Sequence, residues 1–507
     1  MAALLFASCT TDVQPDDLKG RGMSGYEVTL NASISNVGTR IRESFSETEG
    51  LVTDWNSDDS LDVLVNSNEV VPMTRNGKNS FSANVPDQNV AEGFKKGKTI
   101  HGVNNRHDDN ITTVLNGNGL RTILDFTGQD GTIDNLAKYD LMYGTGDPTG
   151  NVTFSHKICV IRLQISSDSL KADGITSITG MKLKYVPTSG TSLFASSEVY
   201  NFGPECDSTI TDADYICLNN TNITVTDGTA SVYLAVPHRQ TLNGKLYISL
   251  MGNIGSTSKI YNLSKPISLI NKSFEMSTIH SKTLTSFSRT PVKAGYYLFS
   301  DGWWGSLSDN IGPAEPIAVI FSNTTSSTDQ GYGWTHGYAM ALKNASTSCK
   351  WGTSGTNPTG KYITTIKSIT DKDGYTHTTF ISSSSYPAAN AAIKYQSTVA
   401  APGNTSGWYL PGLGQLIDIT VNLGGYSTST DPSSTITSNI NKFLTPLPSG
   451  TYDKFTYGSK ATSYYWSSSE FNSDNVYVLF FNDVIKSTSG PKSNSKNLYV
   501  ARSVLAF

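Results

Sequence analysis

The stretch at residues 25–42 (GYEVTLNASISNVGTRIR) begins with a strict alternation of apolar and polar residues over residues 26–34. One face of an extended segment there would carry Tyr26, Val28, Leu30, Ala32 and Ile34. Such alternation is typical of a half-buried β-strand. A polar, flexible run with Arg40 and Arg42 follows, and a trypsin-like protease can reach a segment of that kind. The pattern leaves two interpretations open: an ordinary edge strand followed by a loop, or a strand built to be removed.

Short apolar or alternating runs separated by polar turns continue to about residue 285. They predict strands at residues 61–65, 80–85, 120–126, 181–186, 222–226, 230–236 and 245–251. Residues 152–165 predict one strand, or two joined by a bend. The first half of the chain is therefore expected to consist of β-sheets.

From about Pro291 the pattern changes, and this part holds six of the seven tryptophans. Buried strands are predicted at residues 316–321, 338–342, 476–482 and 498–504. An alanine-rich run at 387–395 predicts a short helix, and residues 413–423 predict another, because Leu413, Leu416, Ile417 and Thr420 share a helical face. The second half is expected to be of the α+β class.

Length and composition narrow the class of protein. The chain has 507 residues, too many for one core, so roughly three domains are expected. The net charge is −4 and only 16% of residues are charged, which excludes an electrostatic nucleic-acid or anionic-membrane binder. Turn-forming residues and 25 tyrosines are typical of an extracellular β-rich protein.

The five cysteines show no spacing typical of a zinc site. Cys206 and Cys217 could close a short loop as a disulfide in an oxidising compartment. Cys159 lies in an apolar run and is expected to be a buried thiol.

The chain begins with a short apolar run that closes on a cysteine, LFASC. Residues 1–8 are expected to be the tail end of a secretion signal. LFASC resembles a bacterial lipobox, which implies that Cys9 becomes the lipidated first residue; a chance cysteine after an apolar run is the alternative. No apolar run in the sequence reaches the length that spans a bilayer.

An ordered series of motifs extends from Cys9 to about residue 285. It runs from the lipobox and the alternating strand through Trp55, DFTGQ-x-GT, LAKYDLMY and FSHK-x-x-x-x-RLQI. The series resembles the fimbrillin (Mfa-like) pilins of Bacteroidales. This resemblance implies a pro-segment over residues 9–40 and two β-sandwich domains, at 41–165 and 166–288. His156 of the FSHK motif is expected to be structural.

A second set of motifs marks the remaining part of the chain. It comprises WYLP at 408–411, YWSSSE at 465–470 and YVAR at 499–502. The set resembles bacterial C-type-lectin-like domains related to formylglycine-generating-enzyme folds, and this implies such a domain over residues 289–507. Two features depart from the family pattern, since the closing arginine is displaced by one place and Gly414-Gln415 replaces an acidic residue of many members.

Motifs of catalysis and cofactor binding are missing from the sequence. It contains no G-x-S-x-G, no H-E-x-x-H and no phosphate-binding glycine loop. No carboxylate spacing marks a glycosidase, and the calcium motifs of lectins are also missing. We therefore expect no enzyme, no cofactor and no metal site, and an enzyme acting on glycans ranks third among the hypotheses.

Aromatic rings in loops can bind sugars, because a ring face stacks on the apolar face of a pyranose. Trp303, Trp304 and Trp334 lie in glycine-rich, loop-like sequence and are the candidate ligand-binding residues. The alternative is that they fill the core, as Trp408 and Trp466 are expected to do.

The resemblance to fimbrillins implies an assembly mechanism. The lipoprotein would reach the outer membrane, and an arginine-specific protease would cut after Arg40, or less readily after Arg42. Removal of the strand would forfeit apolar burial on the order of 10 kcal/mol and would leave a groove. This groove would accept a donor strand from another pilin subunit.

The C-terminal residues decide where such a subunit would stand in a pilus. They are expected to form a core strand, so the chain can accept a strand but cannot give one. This predicts an adhesin at the tip of a type V pilus, with glycan or protein ligands. The alternative is a surface lipoprotein that does not polymerise and binds glycan or protein.

Overall fold

The protein is described by a computed structural model. It describes residues 4–8, 26–32, 60–65, 69–77, 80–85, 100–105, 110–116, 119–146, 151–202, 206–363, 369–458, 461–493 and 498–507. The chain divides into two compact units, Met1–Arg289 (unit 1) and Thr290–Phe507 (unit 2). Cys9, Ile34, Arg40 and Arg42 lie outside the described residues.

Unit 1 is built almost wholly of strands. In chain order they are β1 (Leu4–Ser8), β2 (Tyr26–Asn31), β3 (Ser60–Val65), β4 (Glu69–Gly77), β5 (Ser80–Val85), β6 (Ile100–Asn105), β7 (Ile111–Asn116), β8 (Gly119–Asp125), β9 (Met142–Gly146), β10 (Asn151–His156), β11 (Cys159–Ser166), β12 (Ser177–Ser189), β13 (Phe194–Phe202), β14 (Asp207–Ala213), β15 (Tyr215–Thr224), β16 (Thr229–Val236), β17 (Arg239–Ile254), β18 (Thr257–Leu263), β19 (Ile267–Phe274), β20 (Ile279–Leu284) and β21 (Phe287–Thr290). Two short helices accompany them, α1 (Ile133–Leu136) and α2 (Asp168–Ala172).

Eight of these strands form a sheet that closes on itself, in the order β1-β10-β9-β6-β3-β4-β5-β2. The predicted N-terminal strand is therefore present as β2, and it lies between β1 and β5, with Leu30 opposite Phe81. Leu30 and Ala32 have no exposed surface, as the alternation predicted.

The remaining strands of unit 1 form three further sheets. Their orders are β14-β13-β8-β7, β16-β11-β20 and β15-β12-β17-β18-β21, with β19 also paired to β17. Leu163, Leu183, Leu234 and Leu250 share one fully buried core between the last two sheets. The division of unit 1 into two sandwich domains at residue 165 stays a prediction.

Residues 152–165 form two strands, β10 and β11, rather than one. His156 ends β10, is 3% exposed, and its Nδ1 lies against Oδ1 of Asp140. A buried imidazole paired with a buried carboxylate suits the structural role that was expected of His156. Cys159, which begins β11, is buried, and Cys206 and Cys217 are present as thiols.

Unit 2 combines strands with helices. Its strands are β22 (Tyr297–Phe299), β23 (Trp304–Gly305), β24 (Pro316–Ser322), β25 (Tyr338–Ala341), β26 (Ser346–Cys349), β27 (Tyr464–Glu470), β28 (Asn475–Phe481), β29 (Ile485–Pro491), β30 (Tyr499–Ala501) and β31 (Val504–Ala506). Its helices are α3 (Ser327–Gly331), α4 (Gly374–Phe380), α5 (Pro387–Lys394), α6 (Leu413–Asn422) and α7 (Ser433–Asn441). The predicted helices at 387–395 and 413–423 are confirmed as α5 and α6.

Two five-stranded sheets organise unit 2, in the orders β23-β22-β24-β25-β31 and β26-β30-β27-β28-β29. The last two strands belong to different sheets, β31 to the first and β30 to the second. The C-terminal residue Phe507 is 3% exposed. Between these strands the fully buried Arg502 donates to the carbonyls of Ala341 and Leu342. The C-terminus is buried in the core, as expected, but it forms two short strands rather than the one predicted at 498–504, because Arg502 and Ser503 separate them.

The whole chain is mainly β, as expected. Trp408 and Trp466 are 4% and 0% exposed, which confirms that they belong to the core. Among the described residues, no helix is both long and apolar enough to cross a bilayer.

Candidate ligand-binding site

The three tryptophans predicted to bind ligand have different surroundings. Trp303 and Trp304 are 7% and 4% exposed, and the Trp304 ring packs against His336 and Phe507. Both side chains are buried, so the prediction that they stack on a sugar is wrong for Trp303 and Trp304. Trp334 is partly exposed.

Trp334 belongs to an aromatic cluster that the structure assembles from two distant segments. Its ring centroid lies 5.1 Å from that of Tyr332 and 4.7 Å from that of Tyr375, and Tyr332 lies 5.5 Å from Tyr375. Tyr375 in turn meets the fully buried part of unit 2 through an edge contact with Tyr409 at 5.8 Å. Tyr332 is 56% exposed, so its ring is the one that faces solvent.

The loop that carries Tyr332 and Trp334 is held from behind by Asp329 of α3. The backbone carbonyl of Asp329 accepts from the N–H groups of Tyr332 and Trp334, at 3.1 and 3.2 Å. Thr325 Oγ1 adds a 2.7 Å bond to the carbonyl of Trp334. Tyr332 lies between two glycines, so these backbone hydrogen bonds and the ring contacts with Trp334 and Tyr375 together set its position.

Unit 2 also contains a cavity of about 420 Å³. Its lining residues are Ser326, Lys361, Tyr362, Ile363, Thr370, Asp371, Lys372 and Asp373. Ser326 caps α3, whose end leads into Tyr332, and Asp373 is the N-cap residue of α4, which carries Tyr375. Part of the cavity wall and the aromatic cluster are therefore built on the same two elements.

Strand β27, which contains the YWSSSE motif, holds one wall of the cavity. Ser469 Oγ donates to Oδ2 of Asp371 and accepts from the N–H of Leu413. Gly414 N donates to the carbonyl of Asp371 at 2.9 Å, and a Cβ on Gly414 would lie 2.8 Å from that oxygen. The close approach explains why glycine stands at position 414.

The opposite wall is held by the last residue of the motif, Glu470. Its Oε2 accepts from the backbone N–H of Thr359 at 3.0 Å and from the Thr359 hydroxyl. Its Oε1 pairs with Lys492 Nζ, and both side chains are 0% exposed. Lys492 also donates to the carbonyl of Thr356, so a buried ion pair fastens the segment that leads to Lys361.

The serine, histidine and aspartate near the cavity floor do not form a catalytic triad. Ser468 Oγ and Asp371 Oδ2 both face the same nitrogen of His377, Nδ1, at 3.5 and 3.7 Å. A triad needs the base to face the nucleophile with one ring nitrogen and the carboxylate with the other. Ser468 is also fully buried, so the arrangement cannot attack a substrate.

Asp371, Asp373 and His377 each offer one ligand atom, and these atoms lie within 4.8 Å of one another, so they could hold a divalent cation. The Asp371 carboxylate already accepts from Ser469 Oγ and, at 3.3 Å, from Asp373 N. A hydrogen-bond network explains the same geometry without an ion. The expectation of no metal stays a prediction.

Sequence reasoning missed Tyr332, Tyr375 and the Asp371–Asp373 wall. The run Gly331-Tyr332-Gly333-Trp334 does carry a local signal, an aromatic residue held between glycines in a loop. The contact of that loop with Tyr375 crosses more than forty residues and leaves no local pattern. The predicted candidates Trp303 and Trp304 are not brought to this site.

Comparison with known proteins gives distant structural neighbours only. No family model matches the chain, and no curated protein matches it. A fimbrial protein from Bacteroides ovatus ATCC 8483 aligns over 90% of this chain and 95% of its own, with 13% identity and a TM-score of 0.33. A proposed cell adhesion protein from the same strain aligns over 48% of this chain and 90% of its own, with 14% identity and a TM-score of 0.32. TM-scores this low do not establish a common fold, so the resemblance to fimbrillins stays a prediction.

Proposed function

We propose that the protein is the tip adhesin of a type V pilus. It is exported as a lipoprotein through Cys9, cut after Arg40 or Arg42, and joined to another pilin subunit by donor-strand exchange. Unit 1 serves assembly, and unit 2 binds the ligand on a host or bacterial surface. The mature protein is extracellular, with contact to the outer membrane only through the transient lipid anchor.

The observation that carries this proposal is the place of β2 in the closed sheet of unit 1. Both β1 and β2 precede Arg40 in the chain, and they lie side by side between β10 and β5. Lipoprotein processing before Cys9 would remove β1, and the cut after Arg40 or Arg42 would then remove β2, so the mature sheet would be open at β5 and β10. Phe81 and Phe154 on these strands are 0% exposed, so the opened edge would need a new strand to cover it.

The position at the tip is supported by the other end of the chain. Strands β30 and β31 pair with β26, β27 and β25, and the Arg502 guanidinium is bound between them. Withdrawing these strands would break both sheets of unit 2. A subunit that accepts a strand and cannot donate one ends a fibre.

N-terminal sequencing of the protein recovered from the cell surface tests the proposal. A mature terminus at Ile41 or Glu43 is expected, together with immunogold labelling at fibre ends. An intact lipidated terminus at Cys9, or labelling along the shaft, would overturn the tip assignment.

One observation favours the alternative, a surface lipoprotein that does not polymerise. A lipoprotein that begins at Cys9 would lack β1 but keep β2, which pairs with β5 and places Leu30 opposite Phe81. Such a chain would keep the β5 edge covered and bind glycan or protein near the membrane. The same sequencing experiment separates the two functions.

A further inference from the structure

The geometry points to a glycan-binding site in unit 2, in which a neutral sugar stacks on the ring of Tyr332 and extends into the neighbouring polar cavity. This inference rests on the proposed ligand-binding role of unit 2, and it names the chemical class of the ligand. It also changes which aromatic residue makes the contact, from a tryptophan to a tyrosine.

Tyr332 has the open ring, and Trp334 supports it. Their centroids are 5.1 Å apart with planes inclined by 33°, whereas Tyr375 meets both with its edge, at 68° and 77°. Rings packed in this way hold Tyr332 in one orientation although it is 56% exposed. A fixed ring face with little rotamer freedom is the element that binds the apolar face of a pyranose.

The cavity supplies the polar half of such a site. Its lining residues include Ser326, Thr370, Asp373 and Lys361, which carry hydroxyl, carboxylate and ammonium groups. A sugar hydroxyl both donates and accepts hydrogen bonds, so it can pair with each of these groups. A volume of about 420 Å³ lies within the range of small-ligand sites.

The charges around the cavity favour a neutral sugar over an anionic one. Lys372 is already paired, 2.7 Å from Asp418, and the buried Asp371 accepts from Ser469. Lys361 is the remaining lysine among the lining residues, and it is outnumbered by two lining carboxylates, Asp371 and Asp373. A uronate or sulfated sugar would therefore add negative charge to a lining that is already net negative.

Titration calorimetry with the full chain tests the inference. The neutral probes are maltotetraose, cellotetraose and mannotetraose, and the anionic probe is tetragalacturonate. Saturable binding of at least one neutral probe is expected, with at least tenfold weaker binding of tetragalacturonate. The substitution Asp373→Asn should narrow that gap. No binding of any neutral probe at 5 mM, or tighter binding of tetragalacturonate, would overturn the inference.

Tyr457 provides a matched control, because it is also 56% exposed in unit 2. Tyr332→Ala should weaken binding at least tenfold, and Tyr457→Ala should leave it unchanged. Tyr332→Leu keeps an apolar side chain over Trp334 and removes the flat ring face, so it should lose binding with an unchanged unfolding temperature. Equal effects of the alanine variants at positions 332 and 457 would contradict the inference.

The outcomes also separate this inference from the proposed function. One outcome is that the protein is processed and found at fibre ends, and that Tyr332 binds a protein receptor but no sugar. This outcome would overturn the glycan class and leave the pilus role standing. Sugar binding by an uncut lipoprotein would support the site and remove the pilus role.

Discussion

The hydroxyl of Tyr338 donates a 2.5 Å hydrogen bond to Oδ2 of Asp329, a residue with no exposed surface. The same hydroxyl accepts from the backbone N–H of Ser326 at 2.8 Å. Together these bonds fix the start of the loop that carries Tyr332, so a buried carboxyl in unit 2 underlies the exposed part of the candidate site.

Burial raises the pKa of Asp329, and the nearby Asp373 adds to that increase, against the hydrogen bonds from Tyr338 and Ser326. At pH values between the unfolded and the folded pKa, the folded chain therefore keeps the Asp329 proton that the unfolded chain has lost. The stabilisation is fully present below the unfolded carboxyl pKa of about 3.9, and it is lost as pH rises through the folded value. We expect the difference in Tm between Asp329→Asn and the natural chain to shift in favour of the variant as pH rises from 4 to 7, as measured by calorimetric scans.

Asp431 is a control, because its pKa is shifted in the direction opposite to that of Asp329. Backbone N–H groups of Ser427 and Thr428 lower its pKa to about 2, so its contribution is present above the unfolded pKa and is lost as pH falls. Asp431→Asn should reduce the Tm at pH 7 and have a smaller effect at pH 3. A Tm difference for Asp329→Asn that does not vary with pH would contradict the first expectation.

Gly333 turns the chain between Tyr332 and Trp334 with φ of +94°. Gly333→Ala should destabilise the loop by about 1–2 kcal/mol, because a Cβ is strained in left-handed backbone. Hydrogen exchange at the Trp334 amide should become faster. Gly331→Ala is the matched control, since that glycine lacks a positive φ and a Cβ there meets nothing within 4 Å. Equal exchange in the two variants would show that the backbone strain is not the cause.

Lys492 and Glu470 form an ion pair without exposed surface. Lys492→Met should destabilise unit 2 by about 3–5 kcal/mol in denaturant unfolding, because it leaves a buried carboxylate without its cation. The double variant Lys492→Met, Glu470→Gln should recover part of this loss, since the amide can still accept from Thr359. Lys171→Met, which removes an exposed ion pair with Asp227, should cause no measurable change. A double variant less stable than the single one would refute the charge argument.

Gln129 of the DFTGQ motif is 4% exposed and bonds to a strand 106 residues away. Its Oε1 accepts from Ala235 N at 2.7 Å, and its Nε2 donates to the carbonyls of Ala235 and Phe126. Gln129→Leu should destabilise unit 1 by at least about 2 kcal/mol, since unsatisfied buried groups cost about 1–3 kcal/mol each. Gln240→Leu, at an exposed position, should have little effect in the same urea titration. A smaller loss of unfolding free energy for Gln129→Leu than for Gln240→Leu would show that the buried hydrogen bonds of Gln129 do not stabilise unit 1.

Local periodicity in the sequence predicted many of the strands and two of the helices, α5 and α6. Strand β2, helix α6 and the buried Trp466 follow from patterns of apolar residues within about ten positions, because backbone period and burial leave a local trace. The same patterns identified a mainly β chain with a buried C-terminus.

The tertiary structure alone decided which residues make the candidate site. Trp303 and Trp334 lie in similar glycine-rich sequence, and yet the first is 7% exposed and the second is partly exposed beside Tyr332. Ser469 reaches Asp371 across 98 residues, and Glu470 reaches Thr359 across 111. Contacts at such separations depend on how sheets and loops pack, and packing leaves no periodic trace in the residues that it brings together.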